Sequence, residues 1–136
     1  VHVVVNGRTA ADVGTAVDEL RAAYDVEVHG VVGDSSTSDV HDALLEVCPE
    51  PDIVLLNGEG PSPTPFARLG DDNLGAAFRQ AVVGPVQFLQ RVVPGMVERR
   101  FGRIVAVSSA MVKTPNPVMS LSHGTRLGLA GILKGL

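Results

Sequence analysis

The serine pair Ser108-Ser109 closes an apolar run, Arg103 to Val107, and thirteen residues past Ser109 the chain reads Ser-His-Gly-Thr-Arg, Ser122 to Arg126. The stretch Gly102 to Arg126 reads as a buried strand, a serine-bearing loop at its carboxyl end, and the first turns of a helix. An open α/β sheet places its chemistry at such a point. Arg126 has the donors to bind a ribose hydroxyl or to stabilise an oxyanion. It cannot share a proton at neutral pH, because a guanidinium stays charged there. Taken singly, these residues also have plainer readings. A Ser-Ser pair after a strand is ordinary loop chemistry, Asn6-Gly7 is a common turn, and Asp34-Ser35 could simply start a helix. The four histidines, His2, His29, His41 and His123, show no metal-ligand spacing and read as structural or surface residues. Cys48 is the only cysteine, which excludes an internal disulfide framework and a zinc cluster. No metal is expected.

These residues need elements to position them. The 136 residues set one domain, 1–136, as the expectation. Hydrophobic residues make up 45% and charged residues 19%, enough for an apolar core. The net charge of −4 lacks the basic footprint of a nucleic-acid binder. No apolar run has the ~18 residues of a membrane span, and no basic segment precedes the strand-like start, so no signal peptide is expected. A reducing cytoplasm is the simplest location.

The patterns alternate. Val1 to Asn6 is a short apolar run. Thr9 with Asp12 forms a capping pattern, followed by a helix from about Ala10 to Ala23 with Val13, Val17, Leu20 and Tyr24 on its packed face. Val26 to Val32 is a strand. Ser36 and Asp39 cap a helix that ends near Cys48, before Pro49 and Pro51. Asp52 to Leu56 is continuously apolar, which suits a parallel strand buried on both faces. Asn57 to Gly70, rich in proline and glycine, is a loop. Asp71 or Asp72 caps a helix reaching about Arg99, with a kink or break at Pro85 or Pro94. Strand Arg103 to Val107 and a final helix from about Leu121 complete the order β-α-β-α-β-α-β-α. Strict alternation with short connections implies an α/β fold: a parallel, doubly wound sheet with right-handed crossovers.

VVVNGRT (Val3 to Thr9), GDSST (Gly33 to Thr37), DIVLLNGEGP (Asp52 to Pro61), VVPGM (Val92 to Met96) and GRIVAVSSAMVKTP (Gly102 to Pro115) occur in that order. Together they resemble the short-chain dehydrogenase/reductase family, in particular its 3-oxoacyl-acyl-carrier-protein reductase-like branch. The resemblance spans nearly the whole chain and implies a Rossmann-type fold that binds a nicotinamide dinucleotide. It implies that Asn6, Gly7, Arg8 and Thr9 face the adenosine ribose. Asp34, with Ser35 beside it, would contact the adenine, and Asn57 and Gly58 would line the cofactor. Ser109 matches the family's catalytic serine, which holds the substrate carbonyl oxygen. An arginine at position 8, with no acidic residue from Val3 to Thr9, suits the 2′-phosphate of NADP in preference to NAD. The resemblance further implies a small-molecule or acyl substrate and a homo-dimer or tetramer built on the Asp71–Arg99 region and the helix after it.

The chain departs from the family in two ways. The glycine-rich turn between a first strand and a first helix, which cradles the pyrophosphate on a helix N-terminus, has no counterpart here. The sequence matches from the family's second strand into the helix of the active-site motif. In the usual 3-2-1-4-5-6 strand order the missing strand is central, so two separated strand pairs are expected, with unpaired backbone and apolar surface between them. Either the residues belong to a longer chain or the fold is completed another way. The second departure is chemical. The family's Asn-Ser-Tyr-Lys set aligns here with Ala81, Ser109, Ser122 and Arg126, and Glu59 replaces a glycine beside the cofactor. A serine hydroxyl is too weak an acid to stand in for an activated tyrosine. Tyr24, the only tyrosine, reads as packing. His123 carries an imidazole but neighbours Ser122, and adjacent helical residues do not share a face.

The expected function is therefore an NADP(H)-dependent oxidoreductase acting on a carbonyl or alcohol, with Ser-x-x-x-Arg in place of Tyr-x-x-x-Lys. Its catalytic residues would be Ser109, Ser122 and Arg126. The alternatives are a non-redox enzyme such as a lyase or isomerase, an NADP-binding partner subunit on the same fold, or a segment with no activity of its own.

Overall fold

The computed structural model describes residues 1–114 and 116–136. Pro115, the last residue of the longest motif above, lies outside the described residues. The chain packs as two compact units, Val1–Pro51 and Asp52–Leu136.

In the first unit β1 (His2–Gly7), α1 (Ala10–Ala23), β2 (Glu27–Val32) and α2 (Ser38–Val47) follow in order. The two strands pair in parallel, His2 opposite Glu27 and Gly7 opposite Val32. Thr9 is the N-cap of α1, as expected: its Oγ1 accepts the Asp12 N–H at 3.2 Å and donates to the Asp12 carboxylate at 2.6 Å. The helix lays Val13 and Val17 on Val28, which is fully buried, with Val3, Val5, Leu20 and Val26 around them. Gly30 permits this approach, since a Cβ there would lie 2.5 Å from Val13 Cγ1. Alternation along the strands puts Val3, Val5, Val26 and Val28 on this face. His2, Val4, Asn6, Glu27, His29 and Val31 occupy the other.

Two expectations fail in this unit. Tyr24 does not pack. It is the C-cap residue, in extended conformation and 63% exposed, because leaving the helix carries its ring off the apolar stripe. The start of α2 also differs. Ser36 does not cap it; Thr37 is the N-cap and makes no side-chain cap bond. Asp34 has captured the turn instead. Its Oδ1 accepts the Ser36 N–H at 2.9 Å, and its carbonyl accepts the Thr37 hydroxyl at 2.9 Å. The Asx turn that Asp34 makes with the Ser36 N–H fixes the backbone at residue 36 and moves the helix start one residue on, to Thr37.

The second unit contains β3 (Ile53–Leu56), α3 (Asp71–Phe78), α4 (Gly84–Glu98), β4 (Arg103–Ala106) and α5 (Ser120–Leu133), with short 3-10 turns at Phe66–Arg68 and Ala110–Val112. Strands β3 and β4 pair in parallel, Ile53 opposite Arg103 and Leu56 opposite Ala106. The expected separation into two strand pairs, β1-β2 and β3-β4, is what the structure shows. Only one face of β3 is buried, which corrects the expectation from its apolar run. Val54 is 7% exposed, but Ile53 is 64% and Leu55 61% exposed, and Val105 on β4 shares their open face.

The long helical stretch breaks where proline chemistry requires. A π-helical segment, Arg79–Val83, joins α3 to α4, and the Gly84 N–H bonds the Arg79 carbonyl five residues back. Pro85 has no N–H for the Ala81 carbonyl, and its ring would crowd that carbonyl. A wider turn removes the conflict. Pro94 lies inside α4 without ending it. Gly70, not Asp71 or Asp72, is the N-cap of α3, and Asn73 Oδ1 reaches back to the Gly70 N–H at 3.0 Å.

Helix α4 ends in a Schellman motif: Phe101 N–H bonds the Met96 carbonyl, and Arg100 N–H bonds that of Val97, both at 3.0 Å. The motif needs a left-handed residue, usually glycine, and here Arg100 takes it with φ 54°. Arg100→Gly is expected to raise stability by about 0.5–1 kcal/mol, read as a higher denaturation midpoint by circular dichroism. An unchanged or lower midpoint would show that the arginine side chain compensates for its backbone.

Candidate functional site

The predicted cofactor residues of the first unit gather at the carboxyl ends of β1 and β2. Asn6 is committed to the protein, its amide donating to the Val31 carbonyl at 3.0 Å and the Gly33 carbonyl at 3.1 Å. Gly33 N–H bonds the Gly7 carbonyl at 2.8 Å. These three bonds tie the two strand ends together and fix where residues 8 and 34 emerge. Arg8, Thr9, Asp34 and Ser35 lie on that rim, with Arg8 and Thr9 exposed. The Asp34 carboxyl is held below the usual carboxylate range, first by the backbone N–H of Ser36, then by the Ser36 hydroxyl, with the Arg8 charge adding a smaller contribution.

The histidine of this rim, read from the sequence as structural or surface, is structural. His41 on α2 is 2% exposed, and its Nε2–H donates to the Ser35 carbonyl at 2.8 Å. It holds the 34–37 turn from beneath. The apolar spacing of α2 marks Val40 and Leu44 but gives no signal that the residue between them carries a backbone carbonyl.

A depressed carboxylate stabilises the folded state above its unfolded pKa, and that contribution is lost as pH falls through the folded value. Wild type should therefore exceed Asp34→Asn in stability at neutral pH. The difference should shrink below about pH 4, near the unfolded value. Because Asp34 lies at the surface, screening limits the effect to about 1 kcal/mol or less. Denaturation midpoints of both proteins from pH 3 to pH 7 check it. A gap that widens toward low pH would reverse the sign and refute the assignment.

In the second unit a cleft of about 280 Å³ lies between β4, the π segment and α5. Ala81, Val107, Ser108, Arg126 and Leu129 contribute to its wall. Ala81 and Arg126, expected from the sequence at the family's asparagine and lysine positions, both line this one cavity. The π segment carries Ala81 to it, and α5 carries Arg126. The guanidinium is anchored as well: Nη1 donates to the Val107 carbonyl at 2.6 Å and Nη2 to the Gly58 carbonyl at 3.5 Å. Arg126 therefore joins the segments that leave β3 and β4, and its Val107 anchor lies two residues before Ser109.

The serines divide. Ser108 lines the cleft and is exposed. The Ser109 carbonyl accepts the Val112 N–H at 3.1 Å in the following turn. Ser122 is only 3% exposed. Neither Ser109 nor Ser122 is among the described residues of the cleft wall. His123 Nε2 accepts the Asn116 N–H at 3.4 Å, which turns it toward the loop before α5. Asn57 and Gly58 are exposed just past β3. Gly124 and Gly128 on α5 face the ring of Phe78 at the end of α3, where an added Cβ would make ordinary contact at 3.8 and 3.5 Å.

Parallel strands wound with helices, charged and polar residues at the strands' carboxyl rim, and a cleft beside the serine loop all fit one family. The model of the short chain dehydrogenase family matches residues 1–136. The chain belongs to that family. It is 30% identical over 132 residues to a very-long-chain 3-oxoacyl-CoA reductase of Aspergillus terreus, covering 92% of this chain and 37% of that protein. It is 27% identical over 124 residues to the human inactive hydroxysteroid dehydrogenase-like protein 1, covering 88% of this chain and 38% of that one. The structure matches L-sorbose reductase from Gluconobacter frateurii, complexed with NADPH and L-sorbose, with a TM-score of 0.89 at 23% identity. That match covers 98% of this chain and 52% of the reductase. The chain thus spans about half or less of each of these three relatives. Among the described residues no helix is long and apolar enough to cross a membrane.

Proposed function

We infer that this chain carries the adenosine-binding rim and part of the catalytic cleft of an NADP(H)-dependent oxidoreductase acting on a carbonyl or alcohol. The observation that carries the reading is Arg8, exposed at the end of β1 beside Asp34, on a rim with no carboxylate between Val3 and Thr9. A guanidinium at that place matches the geometry and charge of a 2′-phosphate. Asp34 and Ser35 offer acceptors and a donor to an adenine edge. Asn57 and Gly58 would border the cofactor past β3. Asn6 contributes by fixing the rim, since both amide hydrogens are spent within it. The residues present fit the cofactor's adenosine end. When bound, NADPH supplies a hydride.

The chain's own residues would then hold and polarise the substrate. Ser109 orients the carbonyl oxygen. Arg126 stabilises the oxyanion electrostatically without giving up a proton. Ser122 fits a direct role poorly, because a 3% exposed hydroxyl has little access to substrate. Its burial supports a packing role for α5, and the proton that completes reduction to the alcohol would come from water. The same burial favours the second reading, an NADP-binding protein on this fold that performs a non-redox reaction or none.

The two separate on turnover. The first expects slow NADPH oxidation with activated ketones, and Ser109→Ala should lower kcat/KM by about ten- to a hundredfold. Cofactor binding without oxidation across a broad ketone panel would leave the second reading in place. Turnover unchanged in Ser109→Ala would refute the role given to that serine.

A further inference from the structure

Three side chains at the opposite end of the first unit are unused by this reading. His2 opens β1, and Glu27 and His29 lie on β2, two residues apart. The parallel register sets His2 against Glu27 and Val4 against His29. Residues i and i+2 on one strand, and residues paired across strands, point to the same side of a sheet. All three side chains therefore leave one face. His29 Nε2 lies 2.8 Å from Glu27 Oε1. The rings of His2 and His29 meet edge to face, with centroids 4.9 Å apart and planes at 79°. One ligand atom from each residue lies within 4.8 Å of the others.

We propose that His2, Glu27 and His29 form a surface site for a borderline divalent transition metal, with zinc the principal candidate. Two imidazoles and one carboxylate suit zinc, which binds nitrogen at about 2.0–2.1 Å and carboxylate oxygen at about 2.0–2.2 Å. Tetrahedral ligand atoms at such distances stand about 3.4 Å apart. The three side chains thus need only rotate inward by part of their present separation. His2 and Glu27 are exposed and His29 half-buried, so the rotation disturbs no core packing. The backbone beneath is fixed by the β1-β2 ladder. Glu27 and His29 already face each other, and a cation would take the place of the proton between them. Three protein ligands leave a coordination position for water. Six residues of strand, roughly 17 Å, separate this site from the rim of Arg8 and Asp34. A metal here would act as a clamp across the starts of β1 and β2, and the proposal is independent of the cofactor reading.

The sequence gives no hint of the site, because 24 positions separate His2 from Glu27 and only the sheet register brings them together. The test is a Zn²⁺ titration of the protein, stripped with a chelator, in competition with a chromophoric chelator of micromolar affinity. One equivalent should bind. His2→Ala, Glu27→Gln and His29→Ala should each weaken binding at least tenfold, while His123→Ala should not. Zinc should also raise the thermal midpoint of wild type but not of Glu27→Gln. Glu27→Gln is the deciding variant, since it is nearly isosteric at an exposed position, and circular dichroism confirms its fold. Wild-type affinity in that variant, or zinc bound only at millimolar concentration or in several equivalents, overturns the proposal.

Discussion

Gly33→Ala is expected to destabilise the protein by about 2–6 kcal/mol, the largest effect of any single methyl addition in the first unit. Two independent penalties combine. Gly33 has φ 147°, a region that is essentially glycine-only and costs a residue with a side chain about 1–3 kcal/mol. A Cβ there would also collide with Val40 Cγ2, and overpacking of a well-filled core costs about 1–3 kcal/mol. Neither neighbour can yield cheaply. Val40 is 8% exposed and stiff at χ1. Gly33 is pinned on both sides, through its N–H to Gly7 and its carbonyl to Asn6. Gly14 serves as the control. It lies within α1, a Cβ added there would meet nothing within 4 Å, and alanine at that position should stabilise by about 1 kcal/mol. Urea denaturation followed by far-ultraviolet circular dichroism reads both as midpoint shifts at unchanged slope. A Gly33→Ala midpoint within experimental scatter of wild type would mean that the turn relaxes, and the rim it holds would not be rigid.

That rim shows what the sequence could and could not convey. Periodicity placed α1 at Ala10–Ala23, and every strand within a residue or two, because apolar spacing and the Thr9 cap are local signals. The alternation of elements sufficed for the parallel topology. The separation of the strands into two pairs followed from the strand missing against the family's order. Local competition was harder to read. Ser36 and Thr37 both offer a cap hydroxyl at the start of α2, and only the Asp34 turn, which takes the Ser36 N–H, decides that the helix starts from Thr37. Ile53 and Leu55 look like core residues in sequence, yet they are exposed in this structure. Contacts between distant residues were least legible. The Arg126 bonds to Val107 and Gly58 span 19 and 68 positions. They turn a residue read as a ligand-binding group into one that also ties strand ends together. Ser122 was legible as an aligned position but not as a buried one.

Arg8→Ala should weaken NADPH binding by about ten- to a hundredfold and leave NADH binding within about threefold of wild type. Hydrogen bonds to a charged group contribute about 1.5–3 kcal/mol, and about 1.4 kcal/mol is a factor of ten in affinity. NADH lacks the 2′-phosphate, so the loss should be confined to NADPH. Asp34 sharpens the expectation. Its carboxylate and the Arg8 guanidinium already attract one another, so a phosphate arriving at Arg8 must compete with that carboxylate. Asp34→Asn should therefore relieve that competition for NADPH alone: the ratio of NADPH to NADH affinity should rise, the opposite direction to Arg8→Ala, while the adenine contact shared by both nucleotides weakens. Both effects involve charges at the surface and should diminish with added salt, because the screening length falls to about 10 Å at 0.1 M. Fluorescence titration of NADPH and NADH at low and high salt measures all three. Equal losses for both nucleotides in Arg8→Ala would place the arginine on a part that the two cofactors share, and the preference for NADP would lose its basis. No binding of either nucleotide by the wild-type protein would remove the cofactor reading, while the zinc site, at the far end of the strands, would stand or fall on its own titration.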